Sequence, residues 1–165
     1  MASTADLTVW RITTRRFTNP AALAFSGEGA RLYGGRWNRV GLPMVYTAQS
    51  RSLALLEMLV QDEPLRAHYV LIPAVIGKAV SRKSVSVSGL PANWRNAQLR
   101  DALQAMGQQW LASGESCVLA VPSAVLPSEL NFLINPLHPD FSKIKIGKPE
   151  PLETDSRLKR TSQQA

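Results

Sequence analysis

The sequence predicts a single α+β domain with a mixed β-sheet core and flanking helices. A length of 165 residues suits one domain that buries a sizeable core. The apolar content of 45% and the charged content of 19% are typical of a globular protein and not of a disordered one. Segments with strand-like alternation interleave with segments of helical periodicity, which favours a sheet with mixed strand directions.

Six segments are predicted as strands because they are short, apolar or alternating, and rich in β-branched residues. One of them, residues 80–89, alternates polar and apolar residues and is predicted at a sheet edge. The six segments are residues 7–13, 44–48, 69–76, 80–89, 116–122 and 143–149.

Two longer helices are predicted, at residues 50–61 and 94–113, and residues 20–25 suggest a helical turn. Ser50 or Ser52 can cap the first helix. Residues 26–43 are predicted as a long loop punctuated by glycines, and such loops are often functional. Apolar periodicity is lost after Pro151, so we expect a domain over residues 1–150 and a tail over 151–165.

Charge and cysteine content limit the function classes. The formal net charge of +7 favours partners that carry negative charge, such as nucleic acid, phosphorylated metabolites or an acidic protein. The sequence has no apolar run long enough for a membrane span and no signal-peptide pattern. Cys117 is the single cysteine and neither histidine has a metal-ligand spacing, so we expect a cytoplasmic protein without a metal.

The stretch RLYGGRWNRVGLPMVYTA, residues 31–48, combines two adjacent glycines with three arginines, a tryptophan and two tyrosines. The guanidinium of Arg36 suits bidentate phosphate binding, and Gly34 and Gly35 allow a close approach of the backbone to a ligand. Tyr46 offers a ring face for stacking against a cation. The alternative is structural, with Trp37 and Tyr33 anchoring the loop on the core.

Glu57 is the only polar residue of the segment LALLEMLV, residues 53–60. A helix that is apolar on all sides is expected to be buried, and an unpaired carboxylate there would be strongly destabilising. Glu57 is therefore either paired with an arginine such as Arg36 in a structural ion pair, or it reaches into a functional cleft.

Ser123 follows a predicted strand, where ligands often bind, although a turn serine is the simpler interpretation. A hydrolase triad of Ser123, His138 and Asp140 has little support, because the nucleophile-elbow motif G-x-S-x-G is absent. The glycine-rich patterns of the common nucleotide-binding loops are absent as well.

Five short motifs occur in the order WRI, GGRWNRVGLPMVYTA, LALLE, AVPS and NFLINPLHPDF, between Trp10 and Phe141. In this order they resemble the RES-domain proteins, which are the toxin halves of bacterial RES–Xre toxin–antitoxin pairs. The resemblance implies a fold similar to that of ADP-ribosyltransferases. It also implies cleavage of the nicotinamide–ribose bond of NAD+, with water, phosphate or a protein as acceptor.

Carried over by position, the resemblance implies that Arg36, Glu57 and Ser123 are the catalytic residues. It implies substrate binding by Arg36, Ser123 and further residues, namely Gly35, Trp37, Tyr46 and Asn135. NAD+ is then the substrate, phosphate is a candidate co-substrate, and no metal is required. The expected partner is a cognate Xre-type antitoxin that covers the active site, and neither nucleic acid nor a membrane is expected.

Two other functions fit the same sequence. The positive charge and the interleaved arginines and aromatic residues also suit an RNA-binding protein or ribonuclease, although no histidine pair is placed for RNA cleavage. A non-enzymatic interaction module with an acidic partner is the other alternative.

Overall fold

The computed structural model describes residues 5–61 and 68–158 and contains one mixed β-sheet with helices packed on it. The strands are β1 (Leu7–Thr14), β2 (Val45–Ala48), β3 (Tyr69–Ile76), β4 (Arg82–Ser84), β5 (Val118–Pro122), β6 (Leu130–Ile134), β7 (Lys145–Ile146) and β8 (Glu150–Pro151). They follow the order β4-β5-β6-β2-β1-β3-β7 in the sheet, with β8 paired to β3. Strands β4 and β5 are parallel and the other neighbours are antiparallel, so the predicted mixture of directions is confirmed.

The α-helices are α1 (Glu28–Tyr33), α2 (Arg51–Leu59) and α3 (Asp101–Ser113). Short 3-10 helices span Arg15–Phe17, Ala21–Phe25, Val87–Gly89, Pro139–Lys143 and Ser156–Leu158. Ser50 caps α2 as predicted, because its Oγ accepts a hydrogen bond of 3.1 Å from the backbone N–H of Leu53. Within the described ranges, no helix is long and apolar enough to cross a bilayer.

Four predicted boundaries were wrong. The strand predicted over 143–149 is reduced to the two residues of β7. The loop predicted over 26–43 contains α1, which is too short for periodicity to reveal it. The helix predicted over 94–113 begins only at Asp101, since residues 94–100 form turns. The predicted edge strand over 80–89 is reduced to β4, which does lie at the sheet edge. The central strand β6 was not predicted, because turn residues surround its five positions.

Opposite faces of the sheet bury different cores. Val9, Val45, Ile72 and Val118 share one cluster, and the alternating residues on the same strands point to the other face. On that other face α3 covers β2, β5 and β6 with a cluster that contains Trp37, Trp94, Trp110 and Leu133. Helix α2 covers β1 and β3, and its Leu53 and Ala54 share a buried cluster with Leu71 of β3. Tyr46 packs against the cluster under α3, and Ala48 belongs to the cluster under α2. The boundary between these two clusters therefore lies at β2.

The sheet is least continuous between β1 and β2. These strands share one residue pair, Trp10 with Ala48, whereas β1 and β3 pair along all eight residues of β1. Arg11 bridges the gap, because its guanidinium donates through Nε to the carbonyl oxygen of Ala24 and through Nη1 to that of Tyr46 at 3.1 Å. Burial lowers the pKa of Arg11 to about 10.

The boundary between domain and tail stays a prediction. Strand β8 includes Pro151 and pairs with β3, and Leu152 packs against the cluster beneath α2. Residues 159–165 of the predicted tail lie outside the described residues.

Candidate active site

The loop that carries Arg36 is fixed by a network of hydrogen bonds around the buried Asn38. Its Nδ2 donates to the carbonyl oxygens of Ala30 at 2.8 Å and Leu42 at 3.0 Å. Its Oδ1 accepts a hydrogen bond of 2.6 Å from the hydroxyl of Tyr46. Asn38 therefore joins α1, the loop and strand β2, and it holds Arg36 on an ordered backbone.

Tyr46 reaches the same loop through its hydroxyl, which accepts a hydrogen bond of 3.1 Å from the backbone N–H of Trp37. A Cβ at Gly35 would lie 2.6 Å from the Tyr46 hydroxyl and 2.9 Å from Oδ1 of Asn38, so only glycine fits there. Burial raises the pKa of Tyr46 well above its ordinary value of 10.0. Gly35 thus makes room for the side chain of Tyr46, and its contact with a substrate stays a prediction.

Glu57 and Ser123 form the second half of the site. Ser123 lies directly after β5, is fully buried, and donates a hydrogen bond of 2.7 Å from Oγ to Oε1 of the partly buried Glu57. The same Oγ accepts hydrogen bonds of 3.1 Å from the backbone N–H groups of Val125 and Leu126. The hydroxyl has one proton, and that proton points at the carboxylate. Ser123 therefore fixes Glu57 in one orientation.

Arg36 does not form the structural ion pair with Glu57 that the sequence analysis considered. Its Nη1 donates instead to the carbonyl oxygen of Trp94 at 3.0 Å. The pKa of Arg36 is lowered, chiefly because burial disfavours the charge and secondly because Arg100 lies nearby. The negative charge of Glu57 acts in the opposite direction, so the two groups lie within electrostatic reach of each other without a direct bond.

The surroundings of α2 also differ from the prediction. The apolar sequence around Glu57 predicted a helix buried on all sides, but Leu56 is 40% exposed and Val60 is 65% exposed. Leu126, whose N–H binds Ser123, is also exposed. Glu57 is therefore partly buried on the side of α2, with exposed apolar residues close to it in sequence.

The two aromatic residues of the loop have opposite environments. Trp37 is 2% exposed and packs in the core cluster beneath α3, which agrees with the structural alternative. A Cβ on Gly107 of α3 would lie 1.7 Å from the carbonyl oxygen of Trp37, so helix and loop are in direct contact. Tyr33 is 83% exposed, and its predicted role as an anchor on the core was wrong.

Asn135 and His138 lie apart from the Glu57–Ser123 pair. Asn135 follows β6 at the end opposite Leu130, which pairs with the end of β5 next to Ser123. Its Oδ1 accepts a hydrogen bond of 3.0 Å from the N–H of Leu137, so the buried amide shapes a turn. This placement gives no support to the predicted contact between Asn135 and the substrate.

The hydrolase triad of Ser123, His138 and Asp140 is wrong, because His138 and Asp140 follow the end of β6 that is opposite the end next to Ser123. Nδ1 of His138 accepts a hydrogen bond from the N–H of Asp140, and its Nε2 lies 3.0 Å from the carbonyl oxygen of Gly114. Asp140 binds Lys143 and Ser81, and these contacts hold its pKa well below its usual value. His138 and Asp140 stabilise the turn after β6.

Sequence reasoning missed three contributors to the site, namely Asn38, Arg95 and Arg11. Asn38 stands in the quoted motif GGRWN, but polar loop residues are too common to single one out. Arg95 lies in the segment that was predicted as helix, and its Nε donates to the carbonyl oxygen of Ala124 at 2.9 Å. The WRI motif contains Arg11, and a charged residue inside a predicted strand was the available signal.

Comparison with known proteins finds relatives that match most of the chain. Residues 8–155 match the model of the RES domain family. The chain is 38% identical over 153 residues to the Prs ADP-ribosylating toxin of Sphingobium sp. strain YBL2, covering 90% of this chain and 94% of that protein. It is 36% identical over 153 residues to a Toxin Res of Photorhabdus laumondii, covering 91% and 96% respectively.

The fold resembles that of a chain in the crystal structure of the MbcT–MbcA toxin–antitoxin complex of M. tuberculosis. The TM-score is 0.73 at 21% sequence identity, over 89% of this chain and 84% of that one. This likeness confirms the predicted single α+β domain. With the family match spanning most of its length, the chain belongs to the RES-domain family.

Proposed function

We propose that this chain is the toxin of a bacterial toxin–antitoxin pair and that it degrades NAD+ in the cytoplasm by cleaving the nicotinamide–ribose bond. The observation that carries this proposal is the Ser123–Glu57 hydrogen bond of 2.7 Å, which holds a carboxylate within electrostatic reach of Arg36. The curated relatives support it, since one is named an ADP-ribosylating toxin and another a Toxin Res.

The proposed reaction breaks the bond between C1′ of the ribose and the ring nitrogen of nicotinamide. Nicotinamide leaves with the electron pair as a neutral molecule, and the ribose becomes an oxocarbenium-like cation. The carboxylate of Glu57 stabilises that positive charge, since Oε1 is held by Ser123 and Oε2 accepts no hydrogen bond from a described residue. An acceptor oxygen then bonds to C1′. Water or a protein hydroxyl loses its proton to solvent in that step, whereas phosphate bonds through an oxygen that is already deprotonated. Water, phosphate and a protein hydroxyl all fit this second step.

In this proposal Arg36 binds phosphate oxygens of the dinucleotide and Tyr46 lines the site with its ring. Ser123 acts as a positioning residue through Glu57, because its buried hydroxyl has already used its only proton. This role replaces the direct contact with substrate that the sequence analysis expected. Gly35, Trp37 and Asn38 shape the loop, so they act on the substrate only through Arg36 and Tyr46.

We further propose that a cognate Xre-type antitoxin covers the active site. Three exposed apolar residues are candidates for this contact, because Leu56 and Val60 lie within three positions of Glu57 and the N–H of Leu126 binds Ser123. A partner that buries them would also cover the site. The net charge of +7 favours an acidic partner surface. A Val60→Glu variant is expected to arrest growth even when the antitoxin is co-expressed, while its NAD+ cleavage stays at the wild-type level.

Expression in a bacterial host without antitoxin tests the enzymatic proposal. We expect the wild-type chain to lower cellular NAD+ and to arrest growth, and Arg36→Ala, Glu57→Ala and Ser123→Ala to relieve both effects. An Arg157→Ala variant, altered at a side chain that is 88% exposed, serves as the matched control. If growth stops while cellular NAD+ stays constant and cellular RNA is degraded, the proposal is contradicted and the ribonuclease alternative is favoured.

A further inference from the structure

The segment of turns before α3, residues 91–100, forms one wall of the active site. Trp94 anchors it in the core at 5% exposure, and the carbonyl oxygen of Trp94 accepts the 3.0 Å hydrogen bond from Arg36. The next residue, Arg95, donates from Nε to the carbonyl oxygen of Ala124, which directly follows Ser123. The segment is thereby tied to both halves of the site.

Three arginines lie together along this wall. Arg36 donates to the carbonyl oxygen of Trp94, the residue before Arg95, and Gln104, one helical turn after Arg100, donates to the carbonyl oxygen of Gly35 at 2.9 Å. The positive charges of Arg100 and Arg95 accordingly both lower the pKa of Arg36. In the described part of the chain, none of the three has a carboxylate within 4.0 Å. The nearby carboxylate of Glu57 is hydrogen-bonded to Ser123. Among the described residues, the cluster therefore carries more positive charge than the one nearby carboxylate, Glu57, offsets.

The donors of this wall remain available to a ligand. Arg95 and Arg100 are exposed, and each uses only its Nε, which donates to the carbonyl oxygens of Ala124 and Ala97 respectively. Their terminal nitrogens make no hydrogen bond to any described residue. Because Nε of each is held by backbone, the planar guanidinium is oriented before a ligand arrives, which suits the spacing of phosphate oxygens.

We infer that Arg95 and Arg100 form, together with Arg36, a binding subsite for phosphate oxygens beside the Glu57–Ser123 pair. This inference rests on the proposed function and adds two binding residues to it. The phosphate oxygens belong either to the diphosphate of NAD+ or to free phosphate that serves as the acceptor. Both sources would relieve the repulsion among the three cations. Replacing the arginines weakens the binding of ADP-ribose in the first case and the binding of inorganic phosphate in the second.

The test uses the full chain and its Arg95→Gln and Arg100→Gln variants, with Arg157→Gln as a control that removes the same charge from an exposed arginine. Calorimetry measures the binding of ADP-ribose and of nicotinamide, and melting temperatures verify folding. We expect ADP-ribose to bind about tenfold more weakly to each site variant, as for the loss of a charge-assisted hydrogen bond, with nicotinamide binding unchanged.

Kinetics distinguish the two sources of phosphate. If ADP-ribose affinity stays at the wild-type level and the half-saturating concentration of inorganic phosphate rises about tenfold, the subsite holds the free acceptor and the inference stands in that form. If both site variants match Arg157→Gln in every affinity, the inference is overturned while NAD+ cleavage by the wild type stands. A wild-type chain that neither binds ADP-ribose nor cleaves NAD+ would instead refute the proposed function.

Discussion

Replacing Glu57 by glutamine separates the structural role of this residue from its proposed chemical role. The amide keeps the size of the side chain and still accepts the hydrogen bond of 2.7 Å from Ser123. The bond changes from charge-assisted to neutral, a difference of about 1 kcal/mol in the free energy of unfolding. For a domain of this size that corresponds to a decrease of about 2–4 °C in melting temperature.

The same replacement removes the negative charge that is proposed to stabilise the oxocarbenium-like ribose. The loss of one preorganised electrostatic contact typically costs about 100-fold or more in turnover. We therefore expect NAD+ consumption to fall by at least about that factor in a chain that melts within a few degrees of the wild type. Glu153→Gln, which removes an exposed carboxylate, is the control and is expected to keep full turnover. Full turnover by Glu57→Gln would refute the role assigned to the carboxylate.

Three further variants test the surroundings of the site. Ser123→Ala leaves two backbone N–H groups without their acceptor, so we expect a loss of about 1–3 kcal/mol in a denaturant titration together with reduced NAD+ cleavage. Unchanged values of both would contradict the positioning role. Gly107→Ala places a Cβ 1.7 Å from the backbone carbonyl oxygen of Trp37, and we expect a decrease of about 6–12 °C in melting temperature for a cost of about 3 kcal/mol. Gly29→Ala has open space around the new Cβ and should melt no lower than the wild type, so equal behaviour of the two glycine variants would count against the close contact. Tyr46 keeps its proton longer in the folded state than in the unfolded chain, so the free energy of unfolding should fall as pH rises above about 10. Tyr46→Phe should show a shallower decrease in alkaline denaturant titrations, and an identical slope would contradict the raised pKa.

The elements that could be predicted from the sequence are those whose pattern is local and long enough to read. Strand β3 is a continuous apolar run and α2 has a serine cap, so both were located within a few residues. Helix α1 has only six residues, and both α1 and β6 are surrounded by turn residues. Their structure depends on tertiary contacts that no local pattern contains.

The individual candidates at the site were predictable, but their mutual arrangement was not. Glu57 was conspicuous as the one polar residue in an apolar helix, and Arg36 stood in a loop rich in glycine and aromatic residues. The Ser123–Glu57 hydrogen bond joins residues 66 positions apart, and the Arg36–Trp94 contact joins residues 58 positions apart. Such pairs follow from strand order and from turns that α-helical periodicity concealed at residues 94–100.

Consumption of NAD+ by the purified chain, freed of any partner, tests the central claim most directly. The reaction is run with and without inorganic phosphate, the products are identified by mass spectrometry, and Glu57→Gln is assayed in parallel. The account predicts release of nicotinamide by the wild type, and the form in which ADP-ribose is recovered identifies the acceptor. If a demonstrably folded wild-type chain leaves NAD+ intact with water, phosphate and protein acceptors all present, the account is contradicted.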